Sequence, residues 1–336
     1  MKKIQKNEEV KSIMYDFLVE FEPWSCKFDI VHEDWLFSLM HFRSRPKFKI
    51  PLLISYAYIN RPYIMDLYEE VSVVKKLIDA GIDVWMIDWG YPKRSDKFFK
   101  ISDYVDYIDT CIDFIREKTG EISITLHGYC LGATLAIIYS ALNHDKVKNL
   151  VLQAAPINFH TDNTITMWAM HIDPIKISRA LGNMPGELLN ISFLLVEPVK
   201  LGLKYLNVID NVGNKKLIKD FFYMDNWIFD SPAVPGYVYE EQLIKWYHRN
   251  EIITGKYKLN GKKIDLNKIT MPVLAIIAEK DNLTPPETTL PFFEKIPSKD
   301  KRLLISDKGH VGLTVSGSSH KRIWPEAVKW IIDRSK

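Results

Sequence analysis

Ile122-Ser123-Ile124-Thr125-Leu126-His127-Gly128-Tyr129-Cys130-Leu131-Gly132 decides how this chain folds. Residues 122–127, with Ile122, Ile124, Thr125 and Leu126, predict a buried strand, and Leu131 to Leu142 predicts a helix. Between them stands G-x-C-x-G, the pattern of a nucleophile elbow with cysteine in the place of serine. A strand that turns straight into a helix holds its central residue in a strained conformation, so glycines are needed where a Cβ would meet neighbouring backbone. Gly128 and Gly132 supply that room. The Cys130 side chain then projects at the amino end of a helix, where the partial positive charge favours a thiolate.

On either side of this unit the same rhythm continues. Lys27 to His32, Trp35 to Phe42, Ile50 to Ala57, Asp83 to Ile87, Val147 to Gln153, Pro272 to Ala278 and Arg302 to Ile305 predict strands. Asp66 to Ala80, Tyr104 to Lys118 and Pro325 to Arg334 predict helices, with Gly81 and Gly120 closing the first two. Strands alternating with helices give an α/β fold with a mostly parallel sheet covered on both faces. Val10, Ile13, Met14, Phe17, Leu18 and Phe21 recur at helical spacing and predict an amphipathic helix ahead of it. Between Gln153 and Met271 the rhythm stops for more than a hundred residues, with Pro156, Pro174, Pro185, Pro198, Pro232 and Pro235 and many aromatics. That is too long for a bare loop and reads as a helical cap, set over the carboxyl ends of the strands.

A thiol nucleophile needs a base, and the elbow topology places its partners later in the chain, acid before histidine. Asp281 follows the buried strand ending at Ala278, where a carboxylate reaches the top of the sheet. His310 follows the last strand, between Gly309 and Val311-Gly312. These are the expected acid and base. His127 is expected behind the elbow rather than in it, and His320 has weaker support. Cys26 and Cys111 read as structural thiols, and Asp88-Trp89-Gly90 as a structural turn. An oxyanion hole would take the amide of Leu131, the residue after the nucleophile, and that of Ile59, in the loop after the Ile50 to Ala57 strand. No G-x-G-x-x-G, G-x-x-x-x-G-K or H-E-x-x-H occurs, so no resident cofactor or metal is expected.

Composition narrows the partners. The 336 residues carry 45 Lys and Arg against 42 Asp and Glu, a balance of +3 that argues against a polyanion surface, so nucleic acid is not an expected partner. Three scattered cysteines make neither a disulfide framework nor a four-cysteine zinc site and suit a reducing cytoplasm. The amino-terminal Met1 to Glu9 is charged but leads into no apolar signal region, and no apolar run reaches the roughly 20 residues of a spanning helix.

Cysteine at the elbow has a chemical meaning. Its acyl-enzyme is a thioester, which keeps the acyl group activated for attack by an alcohol. With that, the whole pattern resembles the catalytic subunit of the class III and class IV polyhydroxyalkanoate synthases, of the α/β-hydrolase superfamily, from about Cys26 to Ser335. The resemblance rests on Tyr56-Ala57-Tyr58-Ile59-Asn60-Arg61-Pro62-Tyr63, Ile87-Asp88-Trp89-Gly90-Tyr91-Pro92 and the elbow. It continues through Tyr139-Ser140-Ala141-Leu142, Gly182-Asn183-Met184-Pro185-Gly186-Glu187-Leu188-Leu189-Asn190, Trp227-Ile228-Phe229-Asp230-Ser231-Pro232, and the surroundings of Asp281 and His310.

The resemblance implies polymerisation of an (R)-3-hydroxyacyl coenzyme A, such as 3-hydroxybutyryl coenzyme A, with release of coenzyme A. Cys130 would carry the growing polyester as a thioester, His310 would deprotonate it, and Asp281 would either orient His310 or activate the substrate hydroxyl. It also implies a companion synthase subunit, a homodimer, a place in the cytoplasm at the surface of polyester granules, and a mobile cap over residues 158–263 inserted in a core of residues 1–157 and 264–336. The alternative is a cysteine-dependent hydrolase of the same fold acting on a polyester, lactone or thioester, which differs in using water as acceptor.

Overall fold

Leu52–Ser55, Ile124–Tyr129 and Val273–Ala278 are buried at every position. Strands without a polar face need cover on both sides, and the molecule is built to give it. The computed structural model describes residues 21–211 and 213–336. Eight strands form its main sheet: β1 (Phe28–Glu33), β2 (Ser38–Phe42), β3 (Leu52–Ser55), β4 (Val84–Asp88), β5 (Ile124–Tyr129), β6 (Val147–Gln153), β7 (Val273–Ala278) and β8 (Lys301–Ser306). Their spatial order is β1-β2-β4-β3-β5-β6-β7-β8. The first two pairings are antiparallel and the other five parallel. β5, which carries the elbow, lies inside the sheet between β3 and β6.

Helices α1 (Val73–Asp79), α2 (Ile101–Thr119) and α3 (Leu131–Leu142) connect the early strands, and α2 ends where Gly120, at φ 75°, donates its amide to the Arg116 carbonyl. α3 is apolar nearly all round because it packs against the middle of the sheet. Between β6 and β7 the chain forms α4 (Thr164–His171), α5 (Pro174–Leu181), α6 (Gly186–Leu194), α7 (Pro198–Asp210), α8 (Lys215–Phe229) and α9 (Gly236–Glu241), followed by a π-helical turn, Gln242–His248. α10 (Pro286–Lys295), α11 (Gly312–Val315) and α12 (Gly317–Asp333) complete the chain. Among the described residues no helix is long and apolar enough to cross a membrane.

Several boundaries differ from the sequence reading, each for a visible reason. The helix expected over Asp66 to Ala80 is two 3₁₀ turns, Pro62–Asp66 and Glu69–Val71, followed by α1. Asp66 is fully buried and accepts hydrogen bonds from Ser25 Oγ, Cys26 N and Ser72 Oγ, and Ser72 caps α1 through the Lys75 amide. The chain breaks there to serve that carboxylate. The last helix starts at Gly317 rather than Pro325, because the Ser316 side chain accepts from Ser319 N and fixes an earlier start; Pro325 lies inside the helix. The second strand begins at Ser38 rather than Trp35, and the elbow strand at Ile124, since Ile122 is exposed. The amino-terminal helix expected from Val10 to Phe21 lies outside the described residues but for Phe21.

Candidate active site

Cys130 stands between β5 and α3 with φ 54° and ψ −125°, a conformation L-residues rarely adopt. The surroundings over-determine it. Its amide donates to the Gln153 carbonyl at the end of β6 (2.8 Å), and its carbonyl accepts from Ala133 N (2.9 Å) and Thr134 N. A Cβ at Gly128 would overlap Ala133 Cα, and one at Gly132 would overlap the Ser55 carbonyl oxygen and the Tyr56 backbone. Both glycines are thus required by close backbone approach.

Asp281 and His310 come from the ends of β7 and β8. Pairing continues past these strands through Glu279 N to Ser306 O (2.8 Å) and Lys280 N to Lys308 O (3.0 Å), which brings the two loops together. His310 Nδ1 lies 2.7 Å from Asp281 Oδ2. The carboxylate is enclosed and fully committed. Oδ1 accepts from Leu283 N (2.9 Å) and Thr284 N (2.8 Å), while Oδ2 accepts from Thr284 Oγ1 (2.9 Å) as well as the imidazole. Burial works against charge on both groups, but each partner's opposite charge outweighs it: Asp281 is held below the usual carboxylate range and His310 well above the usual imidazole value. The Tyr129 ring lies stacked on His310, with centroids 5.4 Å apart.

A cavity of about 290 Å³ joins these parts. Cys130 and His310 both line it, with Tyr56, Ile59, Tyr129, Leu131 and Thr284 from the core and Ile165, Trp168, Leu189, Trp227, Gln242 and Tyr247 from the segment between β6 and β7. Cys130 is only partly buried, so the sulfur is not sealed in hydrocarbon. Among the described residues it makes no hydrogen bond to His310, a contact that often tightens only when substrate binds. Asp281 does not line this cavity; it stands behind the imidazole. Ile59 and Leu131 line the cavity with Cys130, and neither amide has an acceptor among the described residues. The loop holding Ile59 is tied to the insertion by Asn60 Nδ2 to Ser231 Oγ (2.8 Å), Trp227 Nε1 to Arg61 O (2.8 Å) and Tyr63 OH to Asp230 Oδ2 (2.9 Å).

The remaining candidates sit elsewhere. His127 is fully buried behind the elbow, with Nε2 3.2 Å from Gln153 Oε1, and burial pulls its pKa down to about 4, so it is neutral. His320 hydrogen-bonds the Thr314 carbonyl through Nε2, and burial lowers its pKa as well. Cys26 has its thiol pushed up to about 12 by burial and then by Asp66, and Cys111 is buried on the inner face of α2. Sequence reasoning missed Thr284, Tyr129 and Gln153. Thr284 was signalled by the Asp281-x-x-Thr284 spacing, which suits a side chain closing its own turn. Gln153, which receives Cys130 N and donates to Thr314 Oγ1, gave no local signal.

Comparison with known proteins adds the family. Residues 52–181 match the model of the alpha/beta hydrolase fold. A poly(3-hydroxyalkanoate) polymerase subunit PhaC from Allochromatium vinosum is 40% identical over 288 residues, 85% of this chain and 81% of that protein. The chain belongs to the PhaC family of poly(3-hydroxyalkanoate) polymerase subunits. The PhaC subunit of Haloferax mediterranei is 38% identical over 92% of this chain, which spans 64% of that relative's length. Among solved structures, a soluble variant of the monoglyceride lipase of Saccharomyces cerevisiae superposes with a TM-score of 0.60 at 12% identity, covering 94% of this chain and 98% of that one. That likeness is one of fold, and it agrees with the α/β-hydrolase architecture expected of the PhaC family.

Proposed function

We propose that this chain is the catalytic subunit of a polyhydroxyalkanoate synthase, polymerising (R)-3-hydroxyacyl coenzyme A, with 3-hydroxybutyryl coenzyme A as the short-chain substrate. The observation that carries the proposal is a cysteine, rather than a serine, held in the strained elbow beside an apolar cavity that His310 shares, in a chain 40% identical to a PhaC subunit over most of both proteins. His310 takes the Cys130 proton; the thiolate attacks the acyl thioester, the C–S bond to coenzyme A breaks, the imidazolium returns its proton to the departing coenzyme A thiolate, and the acyl group becomes a thioester on the Cys130 sulfur. The oxyanion formed in that step is received by the free amides of Leu131 and Ile59. In elongation the hydroxyl of one unit attacks the thioester carbonyl of the other: the C–O bond forms, the C–S bond breaks, and the hydroxyl proton passes through His310 to the departing thiolate.

Asp281 orients His310. Its four acceptor positions are occupied and it stands outside the cavity, which supports orientation over direct activation of the substrate hydroxyl. Residues 158–263 work as a cap whose inner face supplies the cavity's apolar wall. The protein works as a homodimer with a companion subunit, in the cytoplasm at the polyester granule. No resident cofactor or metal enters this chemistry.

The test is direct. Purified protein with its companion subunit, given 3-hydroxybutyryl coenzyme A, should release free coenzyme A and form insoluble polyester. Release of free hydroxyacid alone would mean that water is the acceptor, and the hydrolase reading would replace this one.

A further inference from the structure

The cavity that Cys130 and His310 share is walled in part by an unusual piece of backbone. Gln242–His248 is a π-helical turn. Such turns are rare and recur at functional sites because they re-aim side chains. In an α-helix, residues five apart point about 140° away from one another. The i→i+5 bonding of a π-turn instead brings them to one face. Here those residues are Gln242 and Tyr247, and both line the cavity with Cys130.

Each presents an uncommitted donor. Tyr58, buried next to Ile59 and not itself lining the cavity, donates its hydroxyl to Gln242 Oε1 (2.9 Å), which commits the amide oxygen and leaves the amide nitrogen. Gln242 Nε2 then has no acceptor among the described residues, nor has the Tyr247 hydroxyl, and neither atom is occluded. Tyr247 packs edge-on against Phe159 (4.8 Å between centroids), and its phenol is near enough to Cys130 for a thiolate to raise its pKa further beyond the effect of burial. Donors in an apolar cavity cost free energy once water is displaced, unless the occupant brings acceptors.

Resting on the function proposed above, we infer that Gln242 Nε2 and Tyr247 Oη form a two-donor subsite that holds ester carbonyls of the polyester chain. The chemistry is complementary. A polyester offers one carbonyl acceptor per repeat along an otherwise apolar chain, and no donor except at its hydroxyl end. A plain hydrocarbon acyl chain would leave both donors unpaired and is disfavoured by the same groups.

The test compares two rates in the full-length protein with its companion subunit: coenzyme A release in the first turnover of 3-hydroxybutyryl coenzyme A, and release during extension started from the coenzyme A thioester of a 3-hydroxybutyrate trimer. Loss of one neutral hydrogen bond should lower the ratio of extension to first acylation about fivefold in Tyr247→Phe and in Gln242→Leu, and further in the double variant. A misfolded fraction lowers both rates together and leaves the ratio alone. A ratio within about twofold of the wild type, whether the two rates hold or fall together, overturns the subsite. A wild-type protein that never extends the trimer overturns the functional reading, and the subsite with it.

Discussion

Replacing Asp281 by Asn separates the orientation of His310 from every other feature of the site. The carboxylate receives two backbone amides at Oδ1, and the Thr284 hydroxyl and His310 Nδ1 at Oδ2. An amide has one acceptor oxygen and one donor nitrogen, so one of these positions must change sign. Backbone amides cannot turn, and the carbonyl therefore stays at the Oδ1 position. At the other position Thr284 Oγ1 can rotate to accept, and His310 can carry its proton on Nε2 so that Nδ1 accepts from the new NH₂. Every buried group is then satisfied, but the proton sits on the nitrogen that should receive the one from Cys130. The negative charge that holds His310 well above its usual pKa is also gone. Exchanging the charge-assisted hydrogen bond for a neutral one should cost about 1 kcal/mol of stability. Loss of a positioned base should slow the first acylation by about 10²–10⁴-fold. Stopped-flow detection of the coenzyme A released in the first turnover, with a melting curve at the same pH, measures both. If Asp281 instead acted on the incoming 3-hydroxyl, the first release would keep its wild-type rate and only elongation would slow; that result refutes the orientation role.

Gly132→Ala should destabilise the protein by about 1–3 kcal/mol or prevent folding, because the new Cβ meets the Ser55 carbonyl and the Tyr56 backbone rather than flexible side chains; an unchanged denaturant midpoint would show that the elbow is less tightly held than its geometry requires. The Asp281–His310 pair should give stability a defined pH window. His310 is raised from 6.5, so its contribution is complete below that value and lost as pH rises through the higher folded pKa; Asp281 is lowered from 3.8, so its contribution is complete above that value and lost as pH falls through the lower one. Wild type should therefore exceed His310→Gln most between pH 3.8 and 6.5, and a gap that widens steadily into alkali would contradict the coupling. Cys130→Ser should lose most turnover, since the hydroxyl is a weaker nucleophile and its ester a poorer acyl donor; coenzyme A release at the wild-type rate would count against sulfur chemistry.

The elbow was legible because its geometry is local. Two glycines, a strand and a helix within the 19 residues from Ile124 to Leu142 state the constraint, and chain order led on to Asp281 and His310, which the structure joins at 2.7 Å. The parallel sheet was legible for a similar reason, since strands buried on both faces read as unbroken apolar runs. What escaped depends on contacts between distant parts of the chain. The break at Asp66 serves Ser25 and Cys26, about 40 residues away, so periodicity alone reads through it as one helix. The start of α12 is decided by Ser316, while Pro325, a common first-turn residue, suggests a later one. Aromatic content in the insertion suited a packed core and a groove equally, and only the fold shows that Trp168, Trp227 and Tyr247 reach the cavity while Trp246, beside Tyr247, is wholly buried. No sequence pattern announces a π-turn, which is why Gln242 and Tyr247 went unremarked.

A covalent bond between the growing acyl chain and the sulfur of Cys130 is the centre of the proposed mechanism. Acid-quenching the enzyme during turnover of 3-hydroxybutyryl coenzyme A, followed by proteolysis and mass spectrometry, reads that bond directly. The Cys130 peptide should carry a ladder of added 3-hydroxybutyrate units that is released by hydroxylamine and absent from Cys130→Ala. An unmodified Cys130 peptide in enzyme caught making polymer, or a Cys130→Ala protein with undiminished polymer synthesis, would contradict it.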